Sequence, residues 1–226
     1  MDMRMTVITP SIRPEYLHIT QECLEKQTFQ DFEWLTECGL RNRGFTLPSD
    51  FNKMLLRARG ERIVILQDCI TIEPDVLERI DKLPNDPFTF VVNHEGKYDW
   101  RKHKATLEKK EDGIAQIDAH YWEIDFGCAP PSMFFDVGGF DEEFNKGWSW
   151  ENVEIAFRAE ACGYKFYCHS GIEGYAIDHD KIREHPFRKT REPNSWRANE
   201  TRERARRGDF KVNYLPSIGT QKGGLL

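Results

Sequence analysis

The chain has 226 residues, of which 39% are hydrophobic and 31% charged, with a formal net charge of -6. That length supports one domain with a substantial core, and the composition excludes a disordered chain. No apolar run approaches the roughly eighteen residues that span a bilayer, and the first nine residues lack the apolar core of a signal peptide, so a cytoplasmic protein is expected.

In chain order, Thr6–Pro10 reads as a short buried strand, followed by the loop Ser11–Pro14. Pro14 suits the first turn of a helix, and Tyr16, Leu17, Ile19, Thr20, Cys23 and Leu24 recur at helical spacing. Phe32–Glu37 is a second strand, broken by Gly39 and the polar loop Arg41–Gly44. Asp50 is placed to cap a helix that runs through Ala58 and stops at Gly60. Arg62–Leu66 is a continuous apolar run, as a strand covered on both faces requires. Ile72–Asp75 then starts a helix through Ile80.

This alternation predicts an open α/β sheet. Ligands in such sheets sit at the carboxyl ends of the strands, which points to the loops 9–13, 37–44 and 67–70. The middle is less regular. Phe88–Val92 is a strand, and Glu95–Asp112 is a charged excursion read as a loop or a flexible helix. Ile124–Pro131 leads into Met133–Val137 and the turn Gly138–Asp141. A Trp-rich loop, Gly147–Trp150, precedes a helix from Glu151 to Ala161 that Gly163 ends. Tyr164–Cys168 is a late strand, with another expected at Tyr175–His179.

The six cysteines, Cys23, Cys38, Cys69, Cys128, Cys162 and Cys168, form no CxxC pair, so reduced buried thiols are expected rather than zinc ligands or disulfides. Charge is unevenly placed. From Lys181 to Lys211 eleven basic residues face five acids, which puts +6 on that segment and leaves -12 on the rest. Such a tail suits an anionic partner, a diphosphate or a nucleic acid, and equally suits a solvated charged helix.

Several motifs together resemble those of known enzymes. Thr9–Arg13, Asn52–Glu61 and Ile65–Ile70 with Pro74 look like the N-terminal half of family 2 glycosyltransferases of the GT-A type. Gly138–Glu142 and Gly147–Arg158 resemble the C-terminal module of animal β-1,4-galactosyltransferases and polypeptide GalNAc-transferases. His179 with Arg191–Asn194 is similar to the galactosyltransferase ending, where a histidine binds manganese and a Glu-Pro-Asn follows.

The resemblance implies a single Rossmann-like GT-A domain over residues 1–180, with a mostly parallel central sheet flanked by helices. Its nucleotide-binding half covers about 1–80 and its sugar and acceptor half about 81–180, with a basic C-terminal extension or lid over 181–226. It implies transfer of a sugar from a nucleotide-sugar donor, with a UDP-sugar expected, to an acceptor hydroxyl. A glycan is the ordinary acceptor, and a modified DNA base the rarer one.

Residue by residue, the resemblance puts Thr9, Pro10, Arg13, Glu37, Asn52 and Asp68 around the nucleotide sugar. It makes Asp68 and His179 ligands of Mn2+ or Mg2+, sets Trp148 against the sugars, and gives Glu151 sugar hydroxyls to hold. Arg188, Lys189 and Arg191 are diphosphate or acceptor contacts on the lid.

Two positions depart from the pattern. The metal motif reads Gln67-Asp68-Cys69, with one carboxylate, and a thiol is a poor ligand for hard cations. Asn152 stands where inverting galactosyltransferases carry an aspartate base, and an amide cannot take a proton from a hydroxyl. Glu-Asn is the pairing of the retaining GalNAc-transferases, so retention is slightly favoured, with Glu151 or Glu154 as base otherwise. The plainer alternatives make Asp68 a turn residue, Trp148 and Trp150 core, and Glu151 a carboxylate favoured by the helix dipole. A catalytically inactive binding domain is the alternative from a different functional class.

Overall fold

β1, Met3–Ser11, is the organising strand of the computed structural model, which describes residues 3–11, 13–38, 46–93, 112–146, 149–177 and 191–215. It pairs in parallel with β2, Phe32–Cys38, on one side and β3, Gly60–Leu66, on the other. Beyond β3 come β7, Phe126–Ala129, then β5, Phe88–Asn93, then β8, Phe166–Ala176. The far edge of β8 is shared by β6, Ile114–Ile117, and β4, Ile70–Ile72, giving eight strands. β1, β2, β3, β5 and β8 run one way, and β4, β6 and β7 oppose them.

Side-chain alternation along the central strands builds two cores. Ile8, Ile63 and Ile65 face one side, where they join helices α2 (Leu47–Arg57), α4 (Pro131–Asp136) and α5 (Glu151–Ala161). Met5, Val7, Val64 and Leu66 face the other, under α1 (Leu17–Glu25) and α3 (Val76–Asp81). The result is a sheet covered on both faces, the α/β architecture expected, which is why the central strands are almost wholly apolar.

Differences from the sequence reading are local. Asp50 lies inside α2, not before it: the helix begins at Leu47 with Pro48 in its first turn, and Thr46 Oγ1 donates to Asp50 Oδ2 at 2.7 Å. The two late strands expected at 164–168 and 175–179 are one, because β8 stays paired with β5 through a register shift at Phe90 and Val91. β4 and β6 are too short and too mixed in polarity to stand out from the sequence, and they exist by pairing with β8. The excursion at 95–112 lies outside the described residues, apart from Asp112.

The basic segment is built into the domain over much of its length. Helix α6, Arg191–Arg206, buries Asn194, Ala198, Thr201 and Ala205 along one stripe and packs on α5. The chain then returns to the α4–α5 turn, where Val212 N–H donates to the Val137 carbonyl at 3.1 Å and Leu215 N–H to the Gly138 carbonyl at 2.9 Å. Gly138, at φ +80°, permits this return: a Cβ there would lie 1.5 Å from the Val212 carbonyl oxygen.

Candidate functional site

The five co-directional strands bring their carboxyl ends to one edge of the sheet, and β1 lies where the order turns back between β2 and β3. That switch point is where open α/β sheets place ligands. Ser11 and Arg13 leave β1 there, and Asp68 follows β3. Asp68 is buried, and both its oxygens are engaged: Oδ2 accepts from Ser11 Oγ at 2.5 Å, and Oδ1 from Arg13 Nη2 at 2.5 Å. Burial alone disfavours the Arg13 charge, but the contact with Asp68 outweighs it and raises the guanidinium pKa. Arg13 Nε and Nη1 are buried with no hydrogen-bond partner. Two nitrogens of a fixed cation thus lack an oxygen or nitrogen partner at the strand ends, with the Cys69 thiol and the Tyr16 ring as their neighbours.

Of the other residues expected here, Glu37 sits beside Pro10 in the sheet register and is ion-paired with Arg57 at 2.7 Å. Thr9 is fully buried, and its hydroxyl accepts from Trp34 Nε1 at 3.0 Å, so it supports β2 rather than lining a pocket. Asn52 is buried, and its Nδ2 donates to the Phe140 carbonyl and Glu142 while its Oδ1 accepts from Phe140 N–H. Both amide hydrogens are committed to packing α2 on the 138–142 turn, which argues against a nucleotide contact. Trp148, His179, Arg188 and Lys189 lie outside the described residues, as does the side chain of Arg191.

A run of contacts leads from Asp68 to helix α5. Gln67 N–H donates to the Asp125 carbonyl at 3.1 Å, and Gln67 Nε2 to the Ile124 carbonyl at 3.4 Å. Asn152 Nδ2 in turn donates to the Trp122 carbonyl at 2.7 Å and to Glu123 Oε2 at 3.3 Å. Asn152 therefore ties the amino end of α5 to the 122–125 segment. Glu154, the alternative base, is buried and bonded twice to Arg158, which itself holds the Val137 and Gly139 carbonyls. It is a structural ion pair.

Glu151 is different. It opens α5, is buried, and its Oε2 has no partner. Desolvation pushes its carboxyl pKa up to about 7 against the bond from its own backbone N–H. The two residues before it hold left-handed backbones, Ser149 at φ 70° and Trp150 at φ 79°, a conformation non-glycine residues adopt at a cost. Trp150 packs near His120, with ring centroids 5.7 Å apart.

The described residues do not by themselves fit a hard cation. Asp68 has no oxygen uncommitted, Gln67 faces Ile124, and burial pushes the Cys69 thiol up to about 11, so it is protonated. Among the described residues no group of three His, Cys, Asp or Glu side chains gathers to hold a metal.

No protein-family profile and no curated protein matches the chain. Solved structures do. S. aureus TarS aligns at TM-score 0.57 with 16% identity, over 77% of this chain and 37% of that one. TarS residues 1–349 in complex with UDP-GlcNAc align at 0.59 with 15% identity over 79% and 60%, and in complex with UDP at 0.56 with 14% identity over 77% and 60%. The fold is GT-A-like. At this identity the likeness carries the architecture alone, and this chain spans less than two thirds of the TarS chains. Within that fold, Ser11, Trp150 and Asn194 entered the sequence reading only as members of motifs, with no site role, and Glu123 and Asp125 were not singled out. These residues become neighbours of the site through the chain's path. No described helix is long and apolar enough to cross a membrane.

Proposed function

We propose that the chain is a glycosyltransferase that uses a nucleotide diphosphate sugar. The observation that carries this is Arg13: a guanidinium fixed by Asp68 at the carboxyl ends of β1 and β3, with Nε and Nη1 buried and lacking an oxygen or nitrogen partner. It is a ready-made diphosphate contact, since anions accept strong charge-assisted bonds from such donors. The TarS complexes with UDP and UDP-GlcNAc support a uridine nucleotide as the first ligand to try.

In the reaction proposed, the acceptor hydroxyl oxygen attacks C1 of the sugar and the C1–O bond to the diphosphate breaks. The diphosphate leaves with the electron pair toward Arg13. Glu151 takes the acceptor proton, and a carboxyl titrating near 7 is suited to that task. Glu151 as base corresponds to inversion, and retention, favoured by the Glu151-Asn152 pairing, is the alternative route, which the anomeric configuration of the product distinguishes.

A glycan hydroxyl is the acceptor proposed. The DNA alternative draws little support from α6, where Arg197, Arg202, Arg204 and Arg206 contact the Glu143 carbonyl, Phe157, Asp209 and Glu203. Mn2+ or Mg2+ on Asp68 and His179 stands as a separate proposal, in which the cation must displace Arg13 from Asp68. It requires a cation dependence of UDP affinity that Asp68→Ala and His179→Ala each remove. Trp148 against the sugar, with Arg188, Lys189 and Arg191 near the diphosphate, are proposals of the same standing.

The deciding experiment is a panel of nucleotide sugars followed by thermal stabilisation and by release of nucleotide diphosphate. Stabilisation by UDP with slow donor hydrolysis is the expected result. Binding without any turnover in the presence of glycan acceptors would identify the inactive binding domain instead.

A further inference from the structure

Three buried polar atoms without partners cluster along the chain where α6 meets the amino end of α5: Trp150 Nε1, Glu151 Oε2 and Asn194 Oδ1. Asn194 is 1% exposed and comes from α6, 43 positions after Glu151. Its Nδ2 donates to the Ser149 carbonyl at 2.9 Å, so its side chain lies against the loop that carries Trp150 and Glu151. Leaving such atoms unmatched in a folded interior costs about 1–3 kcal/mol each. Packing alone would be better served by apolar residues at all three positions. One donor and two acceptors in this arrangement match a polyhydroxylated ring, whose neighbouring hydroxyls each donate and accept.

We infer that Trp150 and Asn194 form, beside the base Glu151, the subsite that reads the hydroxyls of the transferred sugar, so that the C-terminal helix α6 sets donor-sugar specificity. The placement follows from connectivity. The contacts Gln67–Ile124/Asp125 and Asn152–Trp122/Glu123 put the amino end of α5 one segment away from Arg13 and Asp68. The group covalently next to a bound diphosphate is the donor sugar, and the acceptor lies beyond it. Asn194 also explains why the two left-handed residues persist: it holds the Ser149 carbonyl and fixes the loop.

This inference rests on the donor reading proposed above, and the test separates the two. Binding of UDP, UDP-glucose, UDP-galactose and UDP-GlcNAc is measured by calorimetry for the wild type, Trp150→Phe and Asn194→Ala. Trp150→Phe keeps an aromatic side chain and removes the indole N–H that has no partner in the protein, and its melting temperature is measured alongside. The expected result is unchanged UDP affinity and a loss of about 3- to 10-fold for the preferred UDP-sugar in each variant. If Asn194→Ala lowers the melting temperature, Trp150→Phe alone decides. Equal losses for UDP and UDP-sugar, or no loss for either in Trp150→Phe, overturn the subsite. A wild type that binds none of the four ligands overturns the donor reading itself.

Discussion

The two ends of the candidate site solve their polar groups in opposite ways. At the carboxyl ends of β1 and β3, Asp68 has both oxygens matched by Ser11 and Arg13, so the Arg13 cation is already fixed. At the amino end of α5, Glu151 and Asn194 are buried with unmatched oxygens, behind two residues in left-handed conformations. The first region is preorganised electrostatically and gains little further order on binding. The second holds unfavourable features that a ligand would relieve, and such features persist only where surrounding structure enforces them. Here that structure is α6 and the Val212–Leu215 return, which lock onto α5 and the Gly138 turn.

The sharpest way to separate the two ends is Glu151→Gln. Transfer should fall by about 10²–10⁴-fold, the usual value of general-base help, while UDP affinity survives. The same variant has a pH signature. The Glu151 pKa, raised from 4.5 to about 7, favours the protonated form in the fold. The wild type therefore carries this stabilisation in full below about pH 4.5 and loses it as pH rises to about 7. Melting curves should show Glu151→Gln flattening that stretch, whereas wild-type transfer rises with pH through the same region. Parallel pH profiles in both proteins would remove Glu151 from the site.

Next in size is Gly138→Ala. The new Cβ meets the Val212 carbonyl oxygen and the residue sits at φ +80°, so a loss on the order of 3 kcal/mol in stability is expected. If the sugar end depends on the C-terminal return, surviving folded protein binds UDP normally but loses its preference among UDP-sugars. An unchanged melting temperature would mean that the return does not brace α5.

Arg13→Ala acts on the other end. UDP affinity should drop by about 10- to 100-fold, the range of a charge-assisted bond, and Arg13→Lys should recover only part of it because a point charge cannot match two N–H vectors. Full recovery by lysine would reduce Arg13 to a simple source of charge. The smallest effect concerns salt. Since several α6 arginines are engaged within the protein, raising ionic strength should weaken UDP binding by less than about threefold. A steep salt dependence would restore the basic segment as an anion-binding surface.

Much of the β1–β3 end was legible in the sequence because its signals are local. Strand β3 is a continuous apolar run, and Arg13 and Asp68 each follow a strand end directly, where α/β sheets gather ligands. Helix α5 was legible to its last residue, Ala161, with Gly163 just beyond it. Thr9 and Asn52 show the limit: their residue types suit a ligand, but burial and the partners Trp34 and Phe140 came from elements distant in sequence. Local sequence patterns thus determined an α/β sheet and its central strands, and put Arg13 and Asp68 in the loops at their carboxyl ends. Tertiary structure alone decided that Asp68 pairs with Arg13, that Asn152 braces the 122–125 segment, and that Asn194 reaches Ser149 from a helix with the charge pattern of solvated surface. The physical reason is contact distance along the chain. Periodicity and turn chemistry act over a few residues, whereas these pairings join positions 55, 30 and 45 residues apart, fixed only once both faces of the sheet are packed.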